Sequence, residues 1–434
     1  MTRPHRADVP AHARREAQVK LRAFIEGVPF LGWAVVYTGV CWGLFGAILG
    51  AVTPELRREL ADYQQLGLLM MAWSTGNLIG ALQGGRLAQR HAPRKLFLTY
   101  CSAALGALAV IVFARQFAVL LLGFFVIALF ETAMFTLGHT ILAALSTDPV
   151  TRSRLLSMID VAYSTGNLIT PLAVIGLQAF GDDWRRPYQV FTLPLVSALL
   201  LFAPRRPYAL ASAAAPSTGH AEEDPAPPVP YLALLRRPAV RWAVVAGVLA
   251  GFVEWGQNFW YVSYAIQVQQ LGANAARVGL QAFVASMVVA RCVQAFLHIT
   301  WTLRQRLWRL NVMALAGLLL GVLWPAHGWF ALYAGGNFLL GLGIGVVFPV
   351  LLAIMIDELP AQASRLSALL MVSFTLGTQS AGLLIGTLCD RFGLHAGYAT
   401  LLVAALGFTI AAWRLCRPFG QRPSPDLRSG TMPL

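Results

Sequence analysis

Three ionisable residues stand deep inside long apolar stretches. They are Glu131 in LFETAMFTLGH, Glu254 in EWGQNFWYVSY and Arg291 in VVARCVQAF. Each falls about 15 residues into its stretch, near mid-bilayer at ~1.5 Å of rise per residue. A charge at that depth costs several kcal/mol unless it is paired or hydrated, so it marks a proton or solute path, or an ion pair. Glu131 fits a proton carrier or an acceptor for substrate hydroxyls; a protonated Glu tying two helices together is the other reading. Glu254 and Arg291 lie on consecutive stretches. They fit a structural bridge, a switch broken during transport, or an anion-binding Arg beside a separate acid.

Amides and rings cluster around these charges. Gln257, Asn258, Trp255, Trp260 and Tyr261 follow or flank Glu254. Rings that pack on an apolar face and amides that read hydroxyls suit a polar, hydroxylated solute. Trp260 and Tyr261 also fit an interfacial aromatic belt. Asn77, Asn167, Asn337 and Gln379 are further polar candidates for the solute site, with helix packing as the alternative for the first two. Asp160, His139 and His298 read as helix-end or interfacial groups. Cys41, Cys101, Cys292, Cys389 and Cys416 show no paired or metal-ligand spacing and read as small packing residues. There is no Walker motif, nucleophile elbow or zinc-ligand spacing. These patterns argue against an ATP-driven pump and against an enzyme. They imply no cofactor and no metal.

The elements that must hold these residues follow from composition. The chain of 434 residues is 57% hydrophobic and 12% charged, about half the charged fraction of a soluble domain. Its net charge of +14 is spread through short gaps between apolar blocks, which argues against nucleic acid as a partner. Twelve segments of helical length are predicted, at 28–52, 64–85, 96–114, 116–145, 155–180, 187–203, 239–264, 276–300, 308–325, 328–355, 366–388 and 396–415. With the N-terminus inside, the inside segments with their adjoining span ends hold 25 Lys and Arg and the outside loops with theirs hold 7. That asymmetry places both termini in the cytoplasm. Residues 1–27 read as a cytoplasmic tail without a cleaved signal peptide, and 416–434 as a second tail. The Ala-, Pro- and Ser-rich stretch 204–238 reads as a cytoplasmic linker between six-helix halves at 28–203 and 239–415.

STGNLI occurs at 74–79 in the second segment and at 164–169 in the fifth, with a weaker echo, SFTLGTQSAG, at 373–382 in the eleventh. The second and fifth segments run in opposite directions, as inverted repeats of three helices require. The expected fold is an all-α membrane protein of twelve transmembrane helices, in two six-helix halves with inverted three-helix repeats.

This organisation resembles the major facilitator superfamily. GGRLAQRHAPRK at 84–95 looks like that family's cytoplasmic loop motif, with Gly85, Leu87, Ala88, Arg90 and Arg94 matching. Gln89 stands in place of the motif's acid, and Ala92 in place of its second Gly. The resemblance implies a gating loop containing Gly85, Arg90 and Arg94. GTLCDRFG at 386–393 is a closer copy on the opposite side and reads as a turn signature. Glu131-Thr132-Ala133, and the series Glu254, Trp260, Tyr264, resemble the fucose–proton symporter group. Residues 152–172 look like its TsgA-like branch. The resemblance implies proton coupling through Glu131 and Glu254, with Arg291 and the amides in the solute site. The fucose symporters' second acid, late in the first span, is missing: Gly50 occupies its place.

The expected function is secondary transport of a small polar, possibly sugar-like solute by alternating access, as proton-coupled symport. A proton-antiport exporter of drugs or metabolites is the alternative, and a non-transporting receptor or scaffold the third reading. The expected partners are the solute, protons and the lipid bilayer. The expected setting is a bacterial inner (plasma) membrane, with the single chain as the working unit.

Overall fold

The structure is a computed structural model, and it describes residues 28–88, 91–146, 149–204, 230–296, 301–323 and 329–416. The described residues form helices and turns with no strand. In hydrocarbon each backbone N–H and C=O needs an internal partner, and a helix supplies one within its own segment.

Twelve helices account for the twelve predicted segments. The first, α1, runs Phe30–Gly46 and continues through two short pieces, Ile48–Ala51 and Thr53–Glu59. It is followed by α2 (Tyr63–Ala88), α3 (Pro93–Phe113), α4 (Phe117–Ala144), α5 (Pro149–Gln178) and α6 (Arg186–Phe202). The second half has α7 (Pro238–Gln267), α8 (Ala273–Phe296) and α9 (Leu303–Leu323). Then come α10 (Phe330–Ile344, continued as Val347–Glu358), α11 (Ala363–Phe392) and α12 (Leu394–Cys416).

Among the described residues, ten helical units are long and apolar enough to cross a membrane, and α6 is a shorter apolar helix. The twelfth, α2, has the length at 26 residues but carries Gln64, Gln65, Thr75, Asn77 and Gln83. Two of these polar groups join neighbouring helices, Thr75 to Gln379 of α11 and Asn77 to Thr132 of α4. Within the stretch expected as linker, Tyr231–Leu235 is a short helix, and 205–229 lie outside the described residues.

Short connections force successive helices to reverse direction. Within each half this puts the start of α1 with the end of α6 and the start of α7 with the end of α12. The Arg277–Glu55 contact, between the start of α8 and the end of α1, puts both pairs at one end of the bundle, here called proximal, the opposite end being distal. The repeated sequence strings occupy equivalent joints. A Cβ on Gly76 would overlap the Phe125 carbonyl of α4, and one on Gly166 the Val40 carbonyl of α1. Gly377 lies in the same way against the Val248 carbonyl of α7. Small residues let these helix pairs approach backbone to backbone, as close packing in lipid requires.

Two helices break at mid-depth, α1 at Ala47 and α10 at Gly345–Val346. In α5, Pro171 has no N–H to donate to the carbonyl of Asn167, four residues earlier. Irregular backbone at this depth is tolerated where protein or a water-filled cavity meets it.

Candidate functional site

The two halves are joined most tightly at the distal end. Arg277 of α8 is fully buried and reaches across to the first half. Its Nη2 donates to Glu55 Oε1 at 2.7 Å, its Nη1 to Gln178 Oε1 at 2.5 Å and its Nε to the Ala51 carbonyl at 3.0 Å. Gln178 Nε2 donates to the same Glu55 oxygen at 3.0 Å. Thr53 Oγ1 bonds the Phe259 carbonyl at 3.0 Å. The Asp390 carboxylate accepts the backbone N–H groups of Tyr63 and Gln64, capping α2 from the other half. The motif-like turn at 386–393 thus has a partner here.

Deeper in, the cross-half contacts thin out. Gln281 donates to the Leu168 carbonyl. Gln379 Nε2 donates to Thr75 Oγ1 at 3.0 Å. The most proximal cross-half bond between described residues is Arg291 Nη1 to Ser164 Oγ, at 3.1 Å. Arg291 Nε also donates to the carbonyl of Gly345, at the break in α10, at 3.3 Å.

A polar cleft opens where these contacts end. Arg291 is exposed although it lies in a membrane-length helix. Glu254, Trp255 and Asn258 share one partly exposed face of α7. The Arg291 charge is felt at Glu254 and at Tyr163, yet Arg291 and Glu254 form no hydrogen bond or ion pair with each other. From the first half, Tyr163 and Asn167 face the break in α1: a Cβ on Gly46 would lie 2.6 Å from Tyr163 Oη and 2.7 Å from Asn167 Oδ1. Trp73 of α2 and Trp255 of α7 close one side, with ring centroids 4.9 Å apart.

Glu131 sits one layer behind this surface. It is 3% exposed. Its Oε1 is 3.5 Å from the Tyr163 hydroxyl, and its Oε2 has no partner. On the same two helices and nearer the proximal end, His139 Nε2 lies 3.1 Å from Asp160 Oδ1, and Asp160 is 56% exposed. Asp160 and His139, expected as helix-end or interfacial groups, thus pair with each other, and His298 lies outside the described residues.

The remaining expected residues divide. Asn77 accepts a hydrogen bond from Thr132 Oγ1 at 2.5 Å and ties α2 to α4. Gln257 is fully buried, donating to Asn337 Oδ1 at 2.8 Å and accepting from the Tyr398 hydroxyl. Asn337 also donates to the Gly279 carbonyl at 3.0 Å. Trp260 is fully buried against Tyr63, with centroids 6.1 Å apart. In this conformation Gln257, Asn337 and Trp260 thus tie helices together and do not line the cleft. Glu254, Trp255 and Asn258 share the exposed arc of α7; Trp260 lies on the opposite side, and Gln257 lies beyond the edge of that arc, bonded to Asn337 of α10 and Tyr398 of α12. Arg94 caps α6, donating to the carbonyls of Phe202, Ala203 and Pro204. Gly85 lies within α2, and Arg90 lies outside the described residues.

Sequence reasoning passed over Tyr163, Ser164, Glu55, Gln178, Arg277 and Asp390. A usable signal existed for one of them: Ser164 opens the repeated STGNLI string. Among groups of His, Cys, Asp and Glu in the described residues, none has metal-site geometry.

Comparison with known proteins places this geometry in context. The sequence profile described as Major Facilitator Superfamily matches residues 34–378. No curated protein matches the chain. A crystal structure of the nucleoside transporter NupG superposes with a TM-score of 0.69 at 12% identity, over 89% of this chain and 97% of that one. The E. coli fucose:proton symporter FucP gives 0.55 at 16% identity, over 88% and 98%. The human organic anion transporter MFSD10 (TETRAN) gives 0.58 at 17% identity, over 89% and 98%. At these identities the likeness is one of fold.

Proposed function

Since the chain belongs to the Major Facilitator Superfamily, a family of membrane transporters rather than enzymes, we propose that it moves a small polar solute by alternating access, in symport with protons. Sugar-like solutes fall within that class. The observation that carries this reading is the distribution of contacts between halves. Among the described residues they crowd the distal end around Arg277, and the most proximal hydrogen bond between halves is the one at Arg291, which favours a mid-depth site open toward the proximal end. Alternating access needs such a one-sided closure around a central site.

The proton rides on Glu131, with Glu254 as a second acid in the cleft. A dry carboxylate with an unpartnered oxygen is too costly at mid-bilayer, whereas a neutral carboxyl is tolerated. The present arrangement of Glu131 therefore suits the proton-loaded group. The Tyr163 hydroxyl lies 3.5 Å from Glu131, and movement of this ring would admit water. Arg and Lys asymmetry puts the proximal end in the cytoplasm, which makes this conformation inward-open in a plasma membrane. The halves at 28–203 and 239–415 are the rocking bodies, within a single chain.

Reconstitution into proteoliposomes tests the reading. Glu131→Gln is expected to abolish proton-driven accumulation while solute counterflow survives. Wild-type accumulation by that variant would remove Glu131 from the mechanism. The sign of the pH change on solute addition separates symport from antiport.

A further inference from the structure

Arg291 is a cation held in place by neutral groups. Its Nε is bound to the Gly345 carbonyl and its Nη1 to the Ser164 hydroxyl, while Nη2 makes no hydrogen bond. The exposure of this side chain is to the cleft and not to lipid. On α8 the exposed large apolar residues are Val278, Val289 and Val293, on the face opposite to Arg291. Arg291 shares its own face with Arg277 and Gln281, both of which reach the first half.

Among the described residues no acid forms an ion pair with this charge, and Asp160, one turn from Ser164 on α5, is paired with His139. Glu254 is close enough to feel it but does not pair with it. Both residues belong to the second half, on the contacting helices α7 and α8, so rocking one half against the other does not bring them together. Glu131 is screened by Tyr163. A guanidinium at mid-bilayer is tolerable while the cleft is wet, but occluding the cleft removes that water. The counter-charge must then arrive with the cargo.

We propose that the transported solute is an organic monocarboxylate, whose carboxylate docks on the free edge of the Arg291 guanidinium beside the Ser164 hydroxyl. This rests on the transport reading above and narrows its solute to an anion. A guanidinium presents paired N–H groups that match a carboxylate fork. Among the described residues Arg291 is the one cation at this depth, so the site balances a single negative charge, which favours a monoanion over phosphate or a dicarboxylate. The Trp73–Trp255 wall and the amides of Asn167 and Asn258 receive the uncharged body. One carboxylate on Arg291 and one proton each on Glu131 and Glu254 leave the occluded site with its three mid-depth ionisable groups neutral.

The test uses the purified full-length protein in detergent. Its thermal midpoint is followed against a panel of monocarboxylates, namely lactate, gluconate, benzoate and phenylacetate, each beside its amide, with inorganic phosphate as a separate arm. At least one acid should raise the midpoint in a concentration-dependent way while its amide does not. Arg291→Gln should weaken that acid's binding on the order of 100-fold. Arg291→Lys should retain part of it, and the unliganded midpoints of both variants control for folding. The inference is overturned if amides bind as well as acids, if Arg291→Gln binds the acid as wild type does, if phosphate alone shifts the midpoint, or if no acid in the panel does. Counterflow with any ligand found separates the two readings. Flux of a neutral solute keeps transport and sinks the anion; acid binding without flux keeps the anion and sinks transport.

Discussion

Arg277 and Glu55 meet at 2.7 Å across the two halves, 222 residues apart in sequence, with side chains 0% and 5% exposed. Opening the distal end must separate them. Removing one member of a buried pair strands the other charge, at a cost of about 3–5 kcal/mol. Opening the distal end rehydrates the stranded group and relieves that cost. Glu55→Gln and Arg277→Gln are each expected to shift the protein toward a distal-open state, and the double variant to shift it less than the sum of the two. Cysteine labelling of an introduced Asn258→Cys from the distal side measures the shift. Labelling that stays at the wild-type rate in both single variants would show that this pair is not a gate.

The close helix joints make a second, sharper expectation. A Cβ at Gly377 would overlap the Val248 carbonyl, and backbone cannot yield as a side chain tip can. Gly106 has nothing within 4 Å of a Cβ placed there. Gly377→Ala is expected to destabilise by roughly 1–3 kcal/mol through overpacking, whereas Gly106→Ala should be neutral or slightly stabilising. Thermal midpoints of the two variants in the same detergent decide it, and equal midpoints would contradict the packing described here.

Much of the fold was legible because its signals are local. Hydropathy marks where a helix must cross, and the repeated Gly of STGNLI marks where two helices must touch. The site was legible only in part. A charge in an apolar run announces itself, so Glu131, Glu254 and Arg291 stood out. Which face of α7 meets the cleft depends on packing with α11 and α12, so Gln257 and Trp260 looked equivalent to Asn258. Glu55, Gln178 and Arg277 lie at predicted span ends, where charges are common, and only the meeting of three distant segments gives them a shared role.

Asp390 offers a gentler handle on the same distal closure. Its carboxylate accepts the first two N–H groups of α2, at 2.8 and 2.7 Å, from the opposite half. Losing an acidic N-terminal cap costs about 1 kcal/mol. Asp390→Ala is therefore expected to change the ratio of proximal-open to distal-open protein by about fivefold, with the fold intact. Double electron–electron resonance between spin labels at Arg58 and Arg391 would report the population. A distance distribution identical to that of the wild type would remove Asp390 from the closure.

The two Asn residues of the repeated string test whether equivalent positions have diverged in task. Asn77 is spent on Thr132 at 2.5 Å, between α2 and α4 of one half. Asn167 has a buried Oδ1 without a partner and faces the break in α1 beside Tyr163. A lost interhelical hydrogen bond in a membrane protein averages about 0.6 kcal/mol. Asn77→Ala should thus lower the thermal midpoint modestly and leave solute affinity unchanged. An unpartnered polar atom contributes nothing to stability, and removing it relieves a cost. Asn167→Ala should accordingly leave the midpoint equal or higher while weakening solute binding severalfold. Measuring both quantities on both variants gives a crossed pattern if the division is right. If Asn167→Ala instead lowers the midpoint and spares affinity, Asn167 is a helix tie like Asn77, and the cleft loses its first-half amide.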